Sequence, residues 1–323
     1  MTKDQVLDAL WANADRYLSG AELAARLSLS RTAVWKAVEQ LRSDGYRIEA
    51  VPNRGYRLLE DSDVLSERGI RKYLHSPGLR LRYVSQIDST NSALKELGNR
   101  GEEAGLALIA GAQTAGRGRM GHSFYSPGDT GLYLSLLLRP SLPAAEATKL
   151  TACAAVAVAE TVEEFSGRDA QIKWVNDIFL DGKKVCGILT EASLDCESGL
   201  VSYAVIGIGV NVLSPAEGFP EEISDIAGAV FTERRLPELR CRLAAGILDR
   251  LWSLCGGTAP ADCFEAYRSR SLVLGREVDL LVPGRGPEPA LVLDLEPDYV
   301  LRVRLRDGSV RRISSGDVRV RPR

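Results

Sequence analysis

Between residues 171 and 212 the chain carries four apolar runs with very little between them: QIKWV, IFL, VCGILTEA and VSYAVIGIGVNV. The breaks are the Asn176–Asp177 pair, the Asp181–Gly182 pair and the turn CESG. These are hairpin signals, and connections this short join antiparallel neighbours. Upstream, the pattern predicts a helix over Asn91–Leu97 behind the capping sequence DSTN. It then gives strands at Ala107–Ala112 and Leu132–Arg139 and a long helix over Ala144–Phe165. A further helix covers Leu236–Leu254. Residues 63–271 are therefore expected to form a mixed α/β domain around a mostly antiparallel sheet.

The flanking segments follow other periods. Residues 1–62 read as a helix over Lys3–Ala14, a Ser19-capped helix GAELAARL, a Ser30-capped helix RTAVWKAVEQLRSDG and a hairpin turning at Asn53–Gly55. That order is a winged helix-turn-helix. Its last helix would present Arg31, Thr32, Lys36 and Arg42 to DNA, and Arg54 at the hairpin tip could reach phosphate. Cations and acids balance in this segment, so a three-helix protein-contact module stays open beside it. From 272 to 323 short alternating strands are punctuated by Gly, Pro and Asp, which fits a small SH3-like β-barrel. The class is thus α+β, in three domains.

The net charge is −2, so no global field points to nucleic acid or membrane, and any basic surface must be local. The N-terminus shows no signal-peptide pattern, and apolar runs such as LYLSLLL (132–138) are too short to span a bilayer. Six cysteines without a C-x-x-C pair read as buried, reduced thiols in a cytoplasmic protein. With only His75 and His122, a histidine triad or a His/Cys zinc site is hard to build. Chemistry falls to arginine, lysine, carboxylates and backbone.

The stretch GAQTAGRGRMG (111–121) carries Arg117 and Arg119 with no acid inside it. It contains G-x-G-x-x-G, but HSFYSPGDTG follows, which is turn-rich. A dinucleotide fingerprint needs a helix to open there, so that reading is set aside; a Walker loop lacks its Gly-Lys-Ser/Thr. A mobile glycine-jointed segment with two unpaired guanidiniums suits a ligand of concentrated negative charge. In KWVND (173–177), Lys173 alternates against Trp174. If Trp174 faces the core, Lys173 projects into a cleft and needs an anionic partner; otherwise it is a surface lysine. Asn176 and Asp177 are turn formers, or Asp177 helps hold a metal-bound triphosphate. Gly207 and Gly209 sit inside a strand, which calls for something close to its backbone, and Asn211 could read an adenine or ribose edge. Ser89 and Thr90 read first as helix caps.

Taken together, STN (89–91), Gln113 with GRGRMG (116–121), KWVND, GKKVCGIL (182–189) and GIGVN (207–211) resemble the biotin protein ligases. The N-terminal segment resembles their bifunctional subclass, which also represses the biotin operon. That resemblance implies an ATP-dependent, AMP-forming ligase that makes biotinyl-5′-AMP and passes biotin to a lysine of a carboxyl carrier protein. Ser89, Thr90, Asn91 and Gln113, with Arg117, Gly118, Arg119 and Lys173, would hold biotin. Gly116, Gly118, Arg119, Phe124, Asn176 and Asn211 would hold ATP or the adenylate. Lys173, Arg117 and Arg119 would be catalytic, Asp177 would serve Mg²⁺, and Lys184 and Gly187 belong to a second motif. The implied partners are the biotin carboxyl carrier protein of acetyl-CoA carboxylase, operator DNA, and a second copy in an adenylate-bound homodimer. Two positions depart from the pattern: Val175, where proline is usual, and His122, where a basic residue is common. A ligase without gene regulation, a biotin sensor without turnover and a lipoate ligase are the competing readings.

Overall fold

The computed structural model describes residues 2–59, 62–233, 236–281, 286–314 and 319–322. It divides into two compact units: the first comprises the chain up to Lys72 together with Glu233–Arg242, and the second comprises Tyr73–Thr232 with the chain from Leu243 onward.

In the first unit α1 (Thr2–Trp11), α2 (Gly20–Leu27) and α3 (Arg31–Ser43) precede a hairpin of β1 (Ile48–Val51) and β2 (Gly55–Leu58). Both expected caps are present. Ser19 Oγ accepts from the Glu22 amide at 3.0 Å, and Ser30 Oγ accepts from the Ala33 amide at 3.1 Å. Val6, Leu10, Leu23, Val34, Val38 and Leu41 close the core, so each helix buries an apolar face. Leu18 and Tyr56 exchange backbone hydrogen bonds of 2.9 and 2.8 Å, which ties the hairpin to the chain before α2. A short α4 (Glu67–Arg71) ends this part of the unit.

The second unit holds β3 (Arg80–Ile87), α5 (Thr90–Asn99), β4 (Leu106–Gln113), β5 (Gly131–Leu138), α6 (Thr148–Ser166), β6 (Gln171–Lys173), β7 (Asp177–Leu180), β8 (Lys183–Leu194) and β9 (Val201–Asn211). The strands form one sheet in the order β3-β4-β5-β9-β8-β7-β6. β3 and β4 run parallel across the α5 crossover, and the other described ladders are antiparallel, as the short turns required. Leu94 of α5 packs with Leu106, Leu108, Leu137, Tyr203 and Val205. α6 buries a run of small residues, Ala152 to Ala159, and packs against β6 to β9. Next come α7 (Glu221–Ser224), α8 (Leu239–Cys255), whose first turn lies in the first unit, and α9 (Phe264–Ser269).

The C-terminal strands β10 (Glu277–Leu281), β11 (Glu288–Leu295), β12 (Leu301–Leu305), β13 (Val310–Ile313) and β14 (Arg319–Pro322) make an antiparallel sheet ordered β13-β12-β11-β10-β14. Among the described residues no ladder joins β13 to β14, so the sheet is not closed there. Five cysteines are buried, and Cys196 is exposed in the CESG turn, against the expectation that all would be internal. Among the described residues no helix is long and apolar enough to cross a membrane.

Candidate active site

A cavity of about 330 Å³ opens beside the middle of the seven-stranded sheet, a volume ordinary for a small-molecule site. One end of it is the first turn of α5. Ser89 is the helix N-cap, its Oγ 3.4 Å from the Ser92 amide, so the capping role is present. Ser89, Thr90 and Asn91 also line the cavity while almost fully buried, so capping and lining are not alternatives here. The Thr90 amide and Oγ1 donate to Gln113 Oε1 at 2.9 and 3.1 Å, and Gln113 Nε2 donates to Ser126 Oγ at 3.1 Å. The buried Ser135 hydroxyl of β5 sits 2.7 Å from Thr90 Oγ1 and 2.6 Å from Asn91 Oδ1. The result is a polar seat whose side chains fix one another before any ligand arrives.

The strand glycines explain how the seat fits. A Cβ at Gly207 would lie 2.0 Å from Asn91 Oδ1, and one at Gly209 would lie 2.5 Å from the Phe124 ring. The close approach that glycine implied is therefore Asn91 and Phe124 lying on β9. Gly207→Ala is expected to displace Asn91 and raise the KM for whatever substrate this cavity takes at least about tenfold, the scale of a lost buried hydrogen bond to a ligand. Steady-state kinetics on the purified variant measure this; an unchanged KM removes Asn91 from the seat.

Residues 113–126 are a hairpin, not a loose loop. Gln113 N donates to Ser126 O (3.1 Å), Phe124 N to Gly116 O (2.9 Å) and Gly118 N to His122 O (2.7 Å), with a tight turn at Arg119–Gly121. No helix opens at Gly121, which bears out the rejection of the dinucleotide fingerprint. The expectation of two unpaired guanidiniums needs correcting. Arg117 Nη1 lies 3.1 Å from both carboxylate oxygens of Glu191, and Arg119 Nη1 donates to Asn176 Oδ1 at 3.3 Å. The acid that partners Arg117 lies 74 residues away in sequence, where no local pattern displays it.

Lys173 ends β6 and borders the cavity, its Nζ 5.7 Å from the Phe179 ring centroid. Trp174 is buried, the condition under which Lys173 was to face a cleft, with Nε1 donating to Tyr299 O at 2.9 Å. Lys184 Nζ pairs with Asp177 Oδ1 at 2.6 Å, and both line the cavity with Gly187 and Asn176. Gly116 and Asn211 do not line it. Gly116 is a rung of the hairpin, and Asn211 Nδ2 donates to Gly228 O at 3.0 Å, which fastens the chain after β9. Contributors that the sequence reading missed are Ser135, Phe179, Ile226 and Glu191. Alternation from Gly187 through Leu189 to Glu191 was the available signal for the last of these, since the three share a strand face.

For a metal, Asp177 is the carboxylate lining the cavity, and among the described residues no cluster of three or more His, Cys, Asp or Glu is positioned to cage an ion. That donor set fits Mg²⁺ carried mainly by phosphate oxygens and water, with Asp177 as at most one protein ligand.

In the first unit Arg31, Thr32 and Lys36 are exposed along α3, and Arg54 is exposed on the hairpin with its guanidinium 4.2 Å from the Tyr17 ring centroid. Arg42 is engaged within its own unit. It donates to Ile48 O at 3.0 and 2.8 Å and to Glu39 at 2.9 Å, clamping α3 to β1. Trp35, 53% exposed between Arg31 and Lys36, stands on the face that the sequence reading assigned to DNA without naming it.

Residues 83–211 match the biotin/lipoate A/B protein ligase family, and residues 3–57 match a helix-turn-helix domain family. Residues 83–211 are thus similar to the biotin/lipoate protein ligases. Individual proteins are similar over longer stretches. The chain is 43% identical over 213 residues to the bifunctional ligase/repressor BirA of Bacillus spizizenii, covering 65% of each chain. It is 29% identical over 268 residues to the biotin–[acetyl-CoA-carboxylase] ligase of Mycobacterium tuberculosis, covering 79% of this chain and 95% of that one. The match to the Bacillus relative thus spans just under two thirds of its length. Among solved structures, the biotin protein ligase from Aquifex aeolicus in complex with biotin and ATP superposes with a TM-score of 0.61. Its identity is 28%, over 76% of this chain and 99% of that one. The sheet carrying the cavity is therefore the ligase fold.

Proposed function

We propose that the chain is a biotin protein ligase that forms biotinyl-5′-AMP from biotin and ATP and transfers biotin to a lysine of a biotin carboxyl carrier protein. The observation that carries this reading is convergence. Ser89–Asn91, Gln113, Arg117–Arg119, Lys173 and Lys184 are far apart in sequence and border one cavity, within a domain of the matching family. Their chemistry suits the reaction. A carboxylate must approach an α-phosphate that is itself negative, and two like charges at ~4 Å repel by about 4 kcal/mol at an effective dielectric of ~20. Lys173 and Arg119 stand at the cavity to offset that repulsion and the charge that builds as the carboxylate oxygen attacks phosphorus. The bond from the α-phosphorus to the bridging oxygen breaks, and pyrophosphate leaves with the electron pair. Mg²⁺ on the phosphates, with Asp177 near, would add Lewis-acid neutralisation of that leaving group. The 113–126 hairpin covers the mixed anhydride against water until the amine of the carrier lysine attacks its carbonyl and AMP departs.

The first unit is read as the operator-binding part, with Arg31, Thr32 and Lys36 facing the major groove and Arg54 a phosphate. Adenylate would favour a homodimer and so pair two such units. The domain limits proposed are 1–62, 63–271 and 272–323, the last an SH3-like unit, and buried thiols suit a cytoplasmic site. Biotin-dependent ATP–pyrophosphate exchange tests the enzyme. Exchange is expected with biotin and absent without it, and a folded chain giving none rejects the ligase. A mobility shift with operator DNA that strengthens with biotin and ATP, and weakens steeply with salt, tests repression.

A further inference from the structure

Glu191 has no part in the reaction as described, yet it touches both the seat and the hairpin. Its Oε1 lies 2.7 Å from Lys95 Nζ, its Oε2 accepts from Asn91 Nδ2 at 3.1 Å, and Arg117 Nη1 is 3.1 Å from both oxygens. The side chain is only 18% exposed. Burial pushes its carboxyl pKa upward, but the hydrogen bonds from Lys95 and Asn91 and the charges of Lys95 and Arg117 hold it below the usual value. At neutral pH it is therefore an anion, pointed at a cation of the hairpin. Arg117 occupies the first arm of that hairpin, bridged to Ser123 across it, while the Arg119 contact at the turn is to neutral Asn176. A charge-assisted contact to a half-buried acid holds more firmly than one to an amide.

We infer that Glu191 is a positioning residue that anchors the 113–126 hairpin over the cavity through Arg117. Arg117 is then the strut of the hairpin. Asn91 shares the same carboxylate, so the anchor and the floor of the seat are fixed by one group. The consequence for retaining an adenylate rests on the ligase reading; the anchoring itself does not. The competing explanation is a stitch between α5 and β8, in which Glu191 serves Lys95 and the hairpin is indifferent.

Hydrogen exchange on the ligand-free full chain separates the two. The amides of Gly118, His122 and Phe124 are the reporters, because their bonds hold the hairpin together. Glu191→Gln and Arg117→Gln are each expected to speed their exchange about tenfold, which corresponds to ~1.4 kcal/mol. The double variant should be no faster than either single one, since both remove the same contact. Lys95→Gln should stay within twofold of the parent. If Glu191→Gln leaves these amides unchanged, or if Lys95→Gln reproduces its effect, the anchor is overturned. In a second readout, the half-life of the adenylate on the desalted enzyme should fall about tenfold in Glu191→Gln. Loss of biotin-dependent exchange in the parent chain would remove the ligase reading and leave the hydrogen-exchange result to decide the anchor.

Discussion

Lys173→Ala is expected to lower biotin-dependent ATP–pyrophosphate exchange by at least about 100-fold, the low end for removing a fixed charge from a developing anionic transition state. The side chain is half-buried at the end of β6, beside the Phe179 ring and at the wall of the cavity. Its field acts there through protein more than through water, which is why one ammonium carries so much of the effect. The loss should fall mainly on kcat, because the charge it stabilises is larger in the transition state than in bound substrates. Lys173→Arg should recover part of the rate: it keeps the charge but places it on a longer planar group. The thermal midpoint should hardly move, since Lys173 contributes little to the core. Exchange within threefold of the parent would show that the lysine is a bystander at the rim.

How far the sequence led can be argued from these residues. Period and punctuation gave the elements well. The Ser19 and Ser30 caps, the helix over Thr90–Asn99 and the ladder from β6 to β9 are all local signals, written in neighbouring residues. The glycines of β9 announced a close approach without saying by what; Asn91 and Phe124 supply the answer from over 80 residues upstream. The pairing of Arg117 with Glu191 was invisible for the same reason. An ion pair spanning 74 residues exists only once β8 and the hairpin are placed by the sheet. Arg42 makes a contact that the helical period did not display. Its position on α3 is compatible with a groove, but the Ile48 carbonyl sits within reach and takes two of its donors. The closed barrel expected at the C-terminus depended on pairing between β13 and β14, the two edge strands, which alternation alone does not encode.

The second large effect lies in the first unit. Asp63→Ala should destabilise that unit by about 3–5 kcal/mol, the cost of breaking a buried ion pair and leaving one charge behind. Asp63 and Arg240 have side chains 0% and 3% exposed. One carboxylate oxygen accepts from the Arg240 amide at 3.0 Å and the other from its Nε at 2.8 Å, while Arg240 Nη2 donates to the Asp63 carbonyl at 2.6 Å. The aspartate thus caps the first turn of α8 and neutralises its guanidinium together, so alanine forfeits both. Hydrogen exchange at the core amides of α1 and α3, which open with the unit, should speed by about two to three and a half orders of magnitude. Asp63→Asn should fall between, because the amide still accepts but no longer balances the charge. The sharper test is to remove the pair whole. Asp63→Leu with Arg240→Met leaves no stranded charge and should restore most of the protection that Asp63→Ala loses. If the double apolar variant is as unstable as the single one, the helix cap and not the ion pair is what the unit depends on.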